Sequence, residues 1–387
     1  MKQAKPILWL ASWYPNKFGP FDGDFVQRHA MAVSALRPVE VLVVRKGVAP
    51  QMDEKLKIES STRAGLTETI GYYKPWETGI GILNRLLSFL QYLRVYRKLI
   101  KEFISREGLP DIVHVHVTMR AGLLGLWLRK KYNIPYVITE HWTGFSTRAE
   151  DNFYQQNWLF RKTAVEILRN AQMILPVCNY LADEMKKIVI GPAYVVIGNV
   201  VDTGIFQPAS VPDGPIRFFH ASSLNKQKNP EAILRAFAVA GLATTDWRLV
   251  VAGPASQLLK NSGIKLGLAD KITWLGEISY HQVADKMKSS DLLIMFSRFE
   301  NLPCVIAEAL CCGLKVISNP VGGIPEMLNA SNGILVNNET QLAAAIKKSI
   351  LEGRPQLRKE IAEISFSKYN YAKIAAAYDA VYRNIMT

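Results

Sequence analysis

Short runs of apolar residues alternate with longer segments of helical periodicity along most of the chain. Within each run the apolar residues follow one another, which is typical of parallel strands covered on both faces. Strands and helices in regular alternation predict a doubly wound α/β architecture. The runs predict strands at residues 7–12, 39–45, 111–117, 136–141, 173–178, 194–199, 216–222, 247–253, 272–277, 292–297 and 314–319.

The series of strands and helices occurs twice, on either side of a turn-rich connector at residues 201–215. A chain of 387 residues is long enough for two domains, since single cores stop growing near ~250–300 residues. We predict two Rossmann-like parallel-sheet domains that face each other across a cleft, over residues 1–205 and 206–366. The last segment, 367–387, has the spacing of a helix that can pack on either domain, and we expect it to return to the first.

Four polar residues lie at the ends of predicted strands, namely His141, Asn199, Lys228 and Glu300. In open parallel sheets, ligands bind at the carboxyl ends of the strands. Because these residues come from both halves of the chain, they predict a site in the cleft between the domains.

The composition, 49% hydrophobic and 21% charged residues, is that of a folded protein. The first apolar run is too short for a signal peptide, and no run reaches the ~18 apolar residues of a membrane-spanning helix. The cysteines lack metal-ligand spacing and are typical of buried thiols in a reducing compartment. These features predict a cytoplasmic protein with free thiols at Cys178, Cys304, Cys311 and Cys312.

The net charge of +14 suits nucleic acid, anionic lipid or a phosphorylated substrate as a partner. We do not expect nucleic acid, because no recognised module with interleaved basic and aromatic residues is present. The charge is concentrated in residues 85–131, which hold ten Lys or Arg against three Asp or Glu.

Residues 79–103 predict an amphipathic helix. One stripe of this helix is apolar and consists of Leu83, Leu86, Leu90, Leu93 and Ile100. Another stripe is polar and basic and consists of Gln91, Arg94, Lys98 and Lys101. Such a helix either covers a sheet with its charged face in water or contacts an anionic membrane from its surface.

Residues 297–313 place two carboxylates around the start of a predicted helix. Glu300 lies in the turn after a strand, Pro303 suits the first turn of the helix, and Glu308 lies within its apolar run. The free amides at the helix start can bind an anion. An unpaired buried carboxylate is costly, so Glu308 faces solvent, has a partner or awaits a ligand.

Residues 297–328 resemble the signature of the retaining, nucleotide-sugar-dependent glycosyltransferases of group 1 and family 4, which have the GT-B fold of two Rossmann domains. The resemblance implies that Glu308 binds the ribose hydroxyls of the donor and that Glu300 lies at the transferred sugar. Asn301, Leu302 and Pro303 are then expected to line the donor, and Gly322 and Gly323 the cleft. The shared positions are Glu300, Glu308, Gly313, Gly322, Gly323, Pro325 and Glu326.

Further segments of the chain are similar to the same family. Residues 222–237 resemble its phosphate-binding turn, in which Lys228 matches the lysine that contacts the diphosphate. The position of the usual arginine is occupied by Ser223, and Lys226 is the candidate replacement. Residues 194–208 resemble the segment that opens the second domain and keep Asn199.

Two assignments in the first half of the chain also follow from the resemblance. His141 matches a strand-end histidine that lies beside the sugar ring. Gly23, with Gly19 as second choice, matches a loop glycine that lets the backbone approach the donor diphosphate.

Two short patterns suggest metal sites, and we expect neither to bind a metal. Asp22 and Asp24 form an Asp-x-Asp pair, which binds Mg²⁺ or Mn²⁺ in glycosyltransferases of another fold. His114 and His116 share one face of a strand, as packed residues or as a zinc pair that lacks a third ligand. The charge of the donor phosphates would then be met by Lys228, the helix dipole and Arg298.

The sequence therefore predicts a metal-independent glycosyltransferase that moves a hexose-type sugar from a nucleoside-diphosphate sugar to a hydroxyl group. The acceptor would be a glycan or a lipid-linked molecule of surface polysaccharide synthesis, with peripheral membrane contact through residues 79–103. A nicotinamide-dependent oxidoreductase is disfavoured because no Gly-x-Gly-x-x-Gly follows a strand. A non-catalytic relative is the remaining alternative, favoured by Ser223 and opposed by Glu300 and Glu308.

Overall fold

The computed structural model describes residues 5–47, 52, 54–210, 213–240, 246–355 and 357–386. It contains an eight-stranded sheet followed along the chain by a six-stranded sheet. The α/β architecture with two parallel sheets is as predicted. The predicted domains, 1–205 and 206–366, both include residues outside the described ones, and their boundary at residue 205 stays a prediction.

The first sheet has the strand order β3-β4-β2-β1-β5-β6-β7-β8. Its strands are β1 Ile7–Ala11, β2 Val39–Lys46, β3 Leu56–Arg63, β4 Leu66–Tyr73, β5 Val113–His116, β6 Tyr136–Glu140, β7 Met173–Pro176 and β8 Ala193–Tyr194. Its helices are α1 Asp24–Ser34, α2 Gly81–Glu107, α3 Ala121–Tyr132, α4 Trp158–Arg169 and α5 Asn179–Lys186, with short 3-10 turns at Thr143–Phe145 and Phe153–Gln155.

The second sheet is parallel throughout, with the order β11-β10-β9-β12-β13-β14. Its strands are β9 Ile216–Ala221, β10 Trp247–Ala252, β11 Ile272–Gly276, β12 Leu292–Ile294, β13 Lys315–Ser318 and β14 Gly333–Leu335. Its helices are α6 Pro230–Val239, α7 Gln257–Lys265, α8 Tyr280–Lys288, α9 Cys304–Cys311, α10 Ile324–Met327 and α11 Glu339–Glu352, with a 3-10 turn at Ala269–Lys271. Two helices, α12 Arg358–Tyr369 and α13 Tyr371–Met386, end the chain.

The sequence did not predict the hairpin of β3 and β4. β3 pairs antiparallel with β4, which in turn pairs parallel with β2. Most of β3 is exposed, so it carries no apolar run, and the turn between the strands uses the left-handed residues Ala64 and Gly65. The three-residue strand β14 was missed, and the strand predicted at 194–199 is only the two-residue β8.

The last helix, α13, packs on the first sheet. Tyr378 and Tyr382 are fully buried and lie in the same apolar cluster as Trp9 of β1, and Asp379 forms an ion pair with Arg37 after α1. The chain thus passes between the two sheets twice. The two crossing segments are joined by a hydrogen bond of 2.8 Å, donated by the amide of Val201 to the carbonyl oxygen of Tyr369.

Candidate active site

The loop between β12 and α9 carries Glu300 at the carboxyl edge of the second sheet. Glu300 is only 6% exposed, and its Oε1 accepts a hydrogen bond of 2.6 Å from Nζ of Lys228. Lys228 lies in the loop that follows β9, so two neighbouring strands of the sheet supply the pair. The structure therefore brings together the residues assigned to the transferred sugar and to the diphosphate.

Arg298 supports the loop that contains Lys228. Its Nε donates to the carbonyl oxygen of Lys226 over 3.1 Å, and its Nη2 donates to Oδ1 of Asn229 over 3.2 Å. Lys226, expected to replace the missing arginine at Ser223, instead forms an exposed ion pair with Glu150 at 2.6 Å. Arg298 thus holds the shape of the turn, and its contact with a donor stays a prediction.

Gly322 and Gly323 lie directly against the Glu300 loop. Gly322 has a φ of +59°, and a Cβ atom there would lie 1.9 Å from the carbonyl oxygen of Glu300. The amide of Gly323 donates to the carbonyl oxygen of Asn301 over 2.7 Å. Only glycine fits Gly322, because both its conformation and the space exclude a side chain.

The same loop contacts the first sheet through two side-chain amides. Nδ2 of Asn301 donates to the carbonyl oxygen of His141 over 2.9 Å, and Nδ2 of Asn199 donates to that of Leu302 over 2.6 Å. Pro303 is the N-cap residue of α9, which begins at Cys304. His141, Asn199 and the loop 300–303 therefore meet between the two sheets.

Glu308 of α9 is 5% exposed and has a charged partner from the first sheet's α1. Its Oε1 lies 3.6 Å from Nη2 of Arg28, which is 6% exposed. Arg28 also pairs with Asp24 at 2.6 Å and lies over the ring of Tyr280, 4.6 Å from its centroid. Sequence reasoning missed Arg28, since nothing local links it to a carboxylate 280 residues away.

Burial raises the pKa of Glu308 to about 7, and the charge of Arg28 opposes this rise only in part. Loss of hydration penalises the carboxylate more than the arginine stabilises it. Glu308 can therefore change its protonation state near neutral pH.

His141 lies in a group of buried aromatic rings. Its ring centroid is 4.4 Å from that of Phe25, and its Nε2 is buried without a hydrogen-bond partner in the described part of the chain. Burial lowers the pKa of His141 well below its usual value, and the neighbouring His29 and His114 lower it further. The imidazole is therefore neutral.

His114 is a packed strand histidine. Its Nδ1 lies 2.6 Å from the hydroxyl of Tyr382 and its Nε2 lies 2.7 Å from Oγ1 of Thr139. Both ring nitrogens are occupied, so His114 is not available to a metal. Among the described residues, no group of three His, Cys, Asp or Glu side chains is arranged to hold a metal ion.

Gly23 begins α1 in the left-handed conformation, with a φ of +65°. A Cβ atom there would lie 2.5 Å from the backbone carbon of Trp13. The acidic residues beside it pair with different arginines, Asp24 with Arg28 at 2.6 Å and Asp22 with Arg45 at 3.6 Å. The two carboxylates therefore serve separate ion pairs.

Glu140, at the end of β6, is fully buried and was also missed. Its Oε1 accepts hydrogen bonds of 2.8 Å from the amides of His141 and Trp142, and its Oε2 accepts one of 2.8 Å from the amide of Thr118. Its position next to His141 at a strand end was the available signal. Glu140 fixes the backbone that carries His141.

A cavity of about 380 Å³, here termed the inner cavity, opens beside Glu140 at the carboxyl edge of the first sheet. Its wall combines aromatic and charged side chains, including Trp13, Trp142, Phe160, Arg45, Arg120 and Glu140. The volume falls in the ~300–1,000 Å³ range of small-molecule sites.

Two family models match the chain on either side of the connector. The model of Glycosyltransferase Family 4 matches residues 32–204, and that of Glycosyl transferases group 1 matches residues 202–367. The chain belongs to this glycosyltransferase family. As a group 1 and family 4 glycosyltransferase, it is a retaining enzyme that uses a nucleotide sugar.

Full-length similarity to other glycosyltransferases extends the match. TuaC of Bacillus subtilis, provisionally named a teichuronic acid biosynthesis glycosyltransferase, is 23% identical over 98% of both chains. A sucrose-phosphate synthase from Thermosynechococcus elongatus superposes with a TM-score of 0.78 at 18% identity, over 98% of this chain and 99% of that one. HepE from Anabaena, solved with UDP, has a TM-score of 0.74 at 16% identity, and the match covers 98% of this chain and 100% of that one.

No helix in the described residues of this glycosyltransferase has the length and apolarity needed to cross a membrane.

Proposed function

We propose that this glycosyltransferase moves a hexose-type sugar from a nucleoside-diphosphate sugar to a hydroxyl group of a glycan or lipid-linked acceptor. The pair of Glu300 and Lys228, 2.6 Å apart at the cleft, is the observation that carries the proposal. A cation is needed there because the departing diphosphate gains negative charge as the glycosidic bond breaks.

Each residue near this pair has a proposed part in the reaction. Lys228 neutralises the leaving diphosphate, together with the free amides at the start of α9. Glu300 orients the hydroxyls of the transferred sugar, and His141, whose Nε2 has no hydrogen-bond partner among the described residues, lies beside its ring. The left-handed turn at Gly23 brings backbone toward the diphosphate.

We propose that Glu308 binds the ribose hydroxyls of the donor. A carboxylate accepts two such hydrogen bonds, and charged hydrogen bonds of this kind contribute about 1.5–3 kcal/mol each. Arg28 balances the charge of Glu308 on one side, and a bound nucleotide would add partners on the other.

Metal independence is part of the proposal. Asp22 and Asp24 already have arginine partners, and the cations of the site provide charge for the diphosphate. Full donor binding without added Mg²⁺ or Mn²⁺ is the expected result.

We further propose peripheral contact with an anionic membrane through α2, at the cytoplasmic side. The sequence placed five apolar residues in one stripe, but only the second half of α2 packs on the sheet, through residues such as Tyr96 and Ile100. The first half leaves a large apolar surface exposed, the α2 patch: Trp76, Ile80, Ile82, Leu83, Leu86, Phe89 and Leu90. Arg85, Arg94, Lys98 and Lys101 lie along the same helix, which suits an anionic surface.

Polysaccharide synthesis is the role that we propose for the reaction, supported by the full-length similarity to TuaC. UDP is the first nucleotide to test, because HepE was solved with it.

Calorimetric titration with UDP, GDP and ADP, without metal, tests the donor site. One nucleotide should bind to the wild type, and Glu308→Ala should weaken that binding by about 1–3 kcal/mol. Glu352→Ala, which removes an exposed carboxylate at the end of α11, is the control and should bind as the wild type does. Nucleotide binding without any sugar transfer or donor hydrolysis would favour the non-catalytic alternative.

A further inference from the structure

Three cavities that share lining residues lie between Glu140, the neighbour of His141, and the α2 patch. An outer cavity of about 610 Å³ shares Arg120 with the inner cavity. It also shares Tyr73 and Trp76 with a groove of about 1,080 Å³ that runs along α2. Arg120 therefore lies between the outer cavity and the inner cavity.

The outer cavity has an excess of positive charge. Lys46, Arg85 and Arg120 line it, against a single carboxylate at Glu77. In the part of the chain that the structure describes, none of the three cations forms an ion pair with a carboxylate. Unpaired cations that converge on one cavity are suited to a group with more than one negative charge.

Tyr92 adds a buried hydroxyl to the same wall. It is 5% exposed and lines the outer cavity, and its hydroxyl lies beside that of Tyr96. The adjacent Tyr96 directs its own hydroxyl to the carbonyl oxygens of Ala11 and Leu42. The Tyr92 hydroxyl also lies near the positive charge of Arg120.

The inner cavity has a different character. Apart from Arg120, which it shares with the outer cavity, its arginine and glutamate have partners, since Arg45 pairs with Asp22 at 3.6 Å and Glu140 accepts bonds from backbone amides. Trp13, Trp142 and Phe160 supply flat apolar faces. Such walls suit a sugar ring, which has apolar faces and polar edges.

The backbone of Arg120 is held in an uncommon conformation, with a φ of 66° and a ψ of −72° directly before α3. Non-glycine residues in sparsely populated regions concentrate at ligand sites, where the surrounding structure enforces them. This conformation belongs to the residue that lines both cavities.

We propose that Arg120 binds the phosphate of an acceptor in which a saccharide is joined through phosphate to a membrane lipid. The lipid lies on the α2 patch, the phosphate contacts Arg120 and the Tyr92 hydroxyl in the outer cavity, and the saccharide occupies the inner cavity. This inference rests on the proposed function and narrows its acceptor to a class. Arg120 then determines acceptor specificity and takes no part in donor binding.

Vesicle binding by the full chain tests the inference. Phosphatidylcholine vesicles with a polyprenyl monophosphate are compared with vesicles that hold the same mole fraction of phosphatidylglycerol. Arg120→Ala should weaken binding to the polyprenyl phosphate by about tenfold or more, the scale for one charge-assisted hydrogen bond, and leave binding to phosphatidylglycerol nearly unchanged. Lys101→Ala removes an equal charge from α2 outside both cavities and should lower both only slightly.

Arg120→Gly is the second variant, because glycine adopts the positive φ without strain. It should lose the same binding as Arg120→Ala if the side chain binds phosphate. Equal losses for Arg120→Ala and Lys101→Ala on both kinds of vesicle would overturn the inference and indicate general surface attraction. Equal affinity for free inorganic diphosphate and for the polyprenyl phosphate would assign Arg120 to a soluble phosphate and also overturn it.

UDP titration on the same preparations separates this inference from the proposed function. Arg120→Ala and Arg120→Gly should bind UDP as the wild type does. Retained UDP binding with no preference for the polyprenyl phosphate contradicts the acceptor inference alone. A wild type that binds no nucleotide contradicts the proposed function, on which the acceptor inference depends.

Discussion

Arg28 and Glu308 form a buried ion pair, 3.6 Å apart, that joins the helix after the first strand to the helix that carries the second signature glutamate. Each side chain is less than a tenth exposed. The carboxylate that the sequence places in an apolar run therefore has a protein partner even without a ligand. The pair also ties the two halves of the candidate site to each other.

Removal of Arg28 should destabilise the protein strongly. Arg28→Ala leaves Glu308 buried without its charged partner, a change that costs about 3–5 kcal/mol in comparable buried pairs. Chemical denaturation at a pH of about 8 measures the free energy of unfolding. Lys98→Ala breaks an exposed ion pair with Glu102 and should lower the free energy of unfolding by no more than about 1 kcal/mol. Similar losses for Arg28→Ala and Lys98→Ala would show that burial does not strengthen the contribution of the Arg28–Glu308 pair.

The stability of the protein should depend on pH through Glu308. Its pKa is raised from 4.5 to about 7 by burial, so between these values the folded protein holds a proton that the unfolded chain has released. Stability therefore falls as the pH rises through this interval. Thermal melts at about pH 5.5 and about pH 8 should show a lower melting temperature at the higher pH in the wild type and a smaller decrease in Glu308→Gln. An equal decrease in both proteins would assign the pH dependence of stability to another group.

Nucleotide affinity should change with pH in the opposite sense. The ionised form of Glu308 accepts hydrogen bonds from ribose hydroxyls better than the protonated form, so affinity should rise as the pH passes about 7. Titrations of the wild type and Glu308→Gln at the same pH values test this. A rise of equal size in Glu308→Gln would assign the pH dependence to another group.

Lys228 should act on the diphosphate and not on the nucleoside. Lys228→Ala should weaken UDP binding by about 1.5–3 kcal/mol and leave uridine binding unchanged, measured by calorimetry on both ligands. Lys265→Ala, at the end of α7, is the matched control and should affect neither. Loss of uridine binding in Lys228→Ala would indicate that the variant distorts the site.

Gly322→Ala should reduce turnover by displacing Glu300. The added Cβ would lie 1.9 Å from the carbonyl oxygen of Glu300, at a φ of +59°, so the loop must move. Gly353 is the matched control, because it has a φ of +78° but no atom within 4 Å of the position that a Cβ would take. Gly353→Ala should cost about 1–2 kcal/mol of stability from backbone strain and keep full donor hydrolysis; unchanged hydrolysis in Gly322→Ala would show that the loop tolerates movement.

The sequence predicted the parallel sheets well because their strands are buried on both faces and must be continuously apolar. Strand ends could be located in the same way, which is why Lys228, Glu300 and His141 could be assigned to the carboxyl edges of the sheets from the sequence alone. The edge strand β3 was not predictable by this rule, since six of its eight residues are exposed.

Pairs between distant segments were the other limit of the sequence. Arg28 and Glu308 are far apart in the chain, and no local pattern distinguishes Arg28 from a surface arginine. The role proposed for Arg120 likewise depends on two cavities whose walls come from separate elements, which the sequence does not reveal. Charge in a sequence shows that partners must exist, while the fold decides which groups they are.

The hydrogen bond between Val201 and Tyr369 joins the two segments in which the chain crosses between the sheets, and each sheet with its helices is here termed a lobe. Because both passages of the chain are joined there, we expect the lobes to swing about a single paired hinge instead of sliding or separating. A donor that draws Glu308 and Lys228 inward would then narrow the cleft most at the edge farthest from this hinge. Small-angle X-ray scattering with and without UDP should show a smaller radius of gyration on binding, and an unchanged radius would mean that the cleft is already closed.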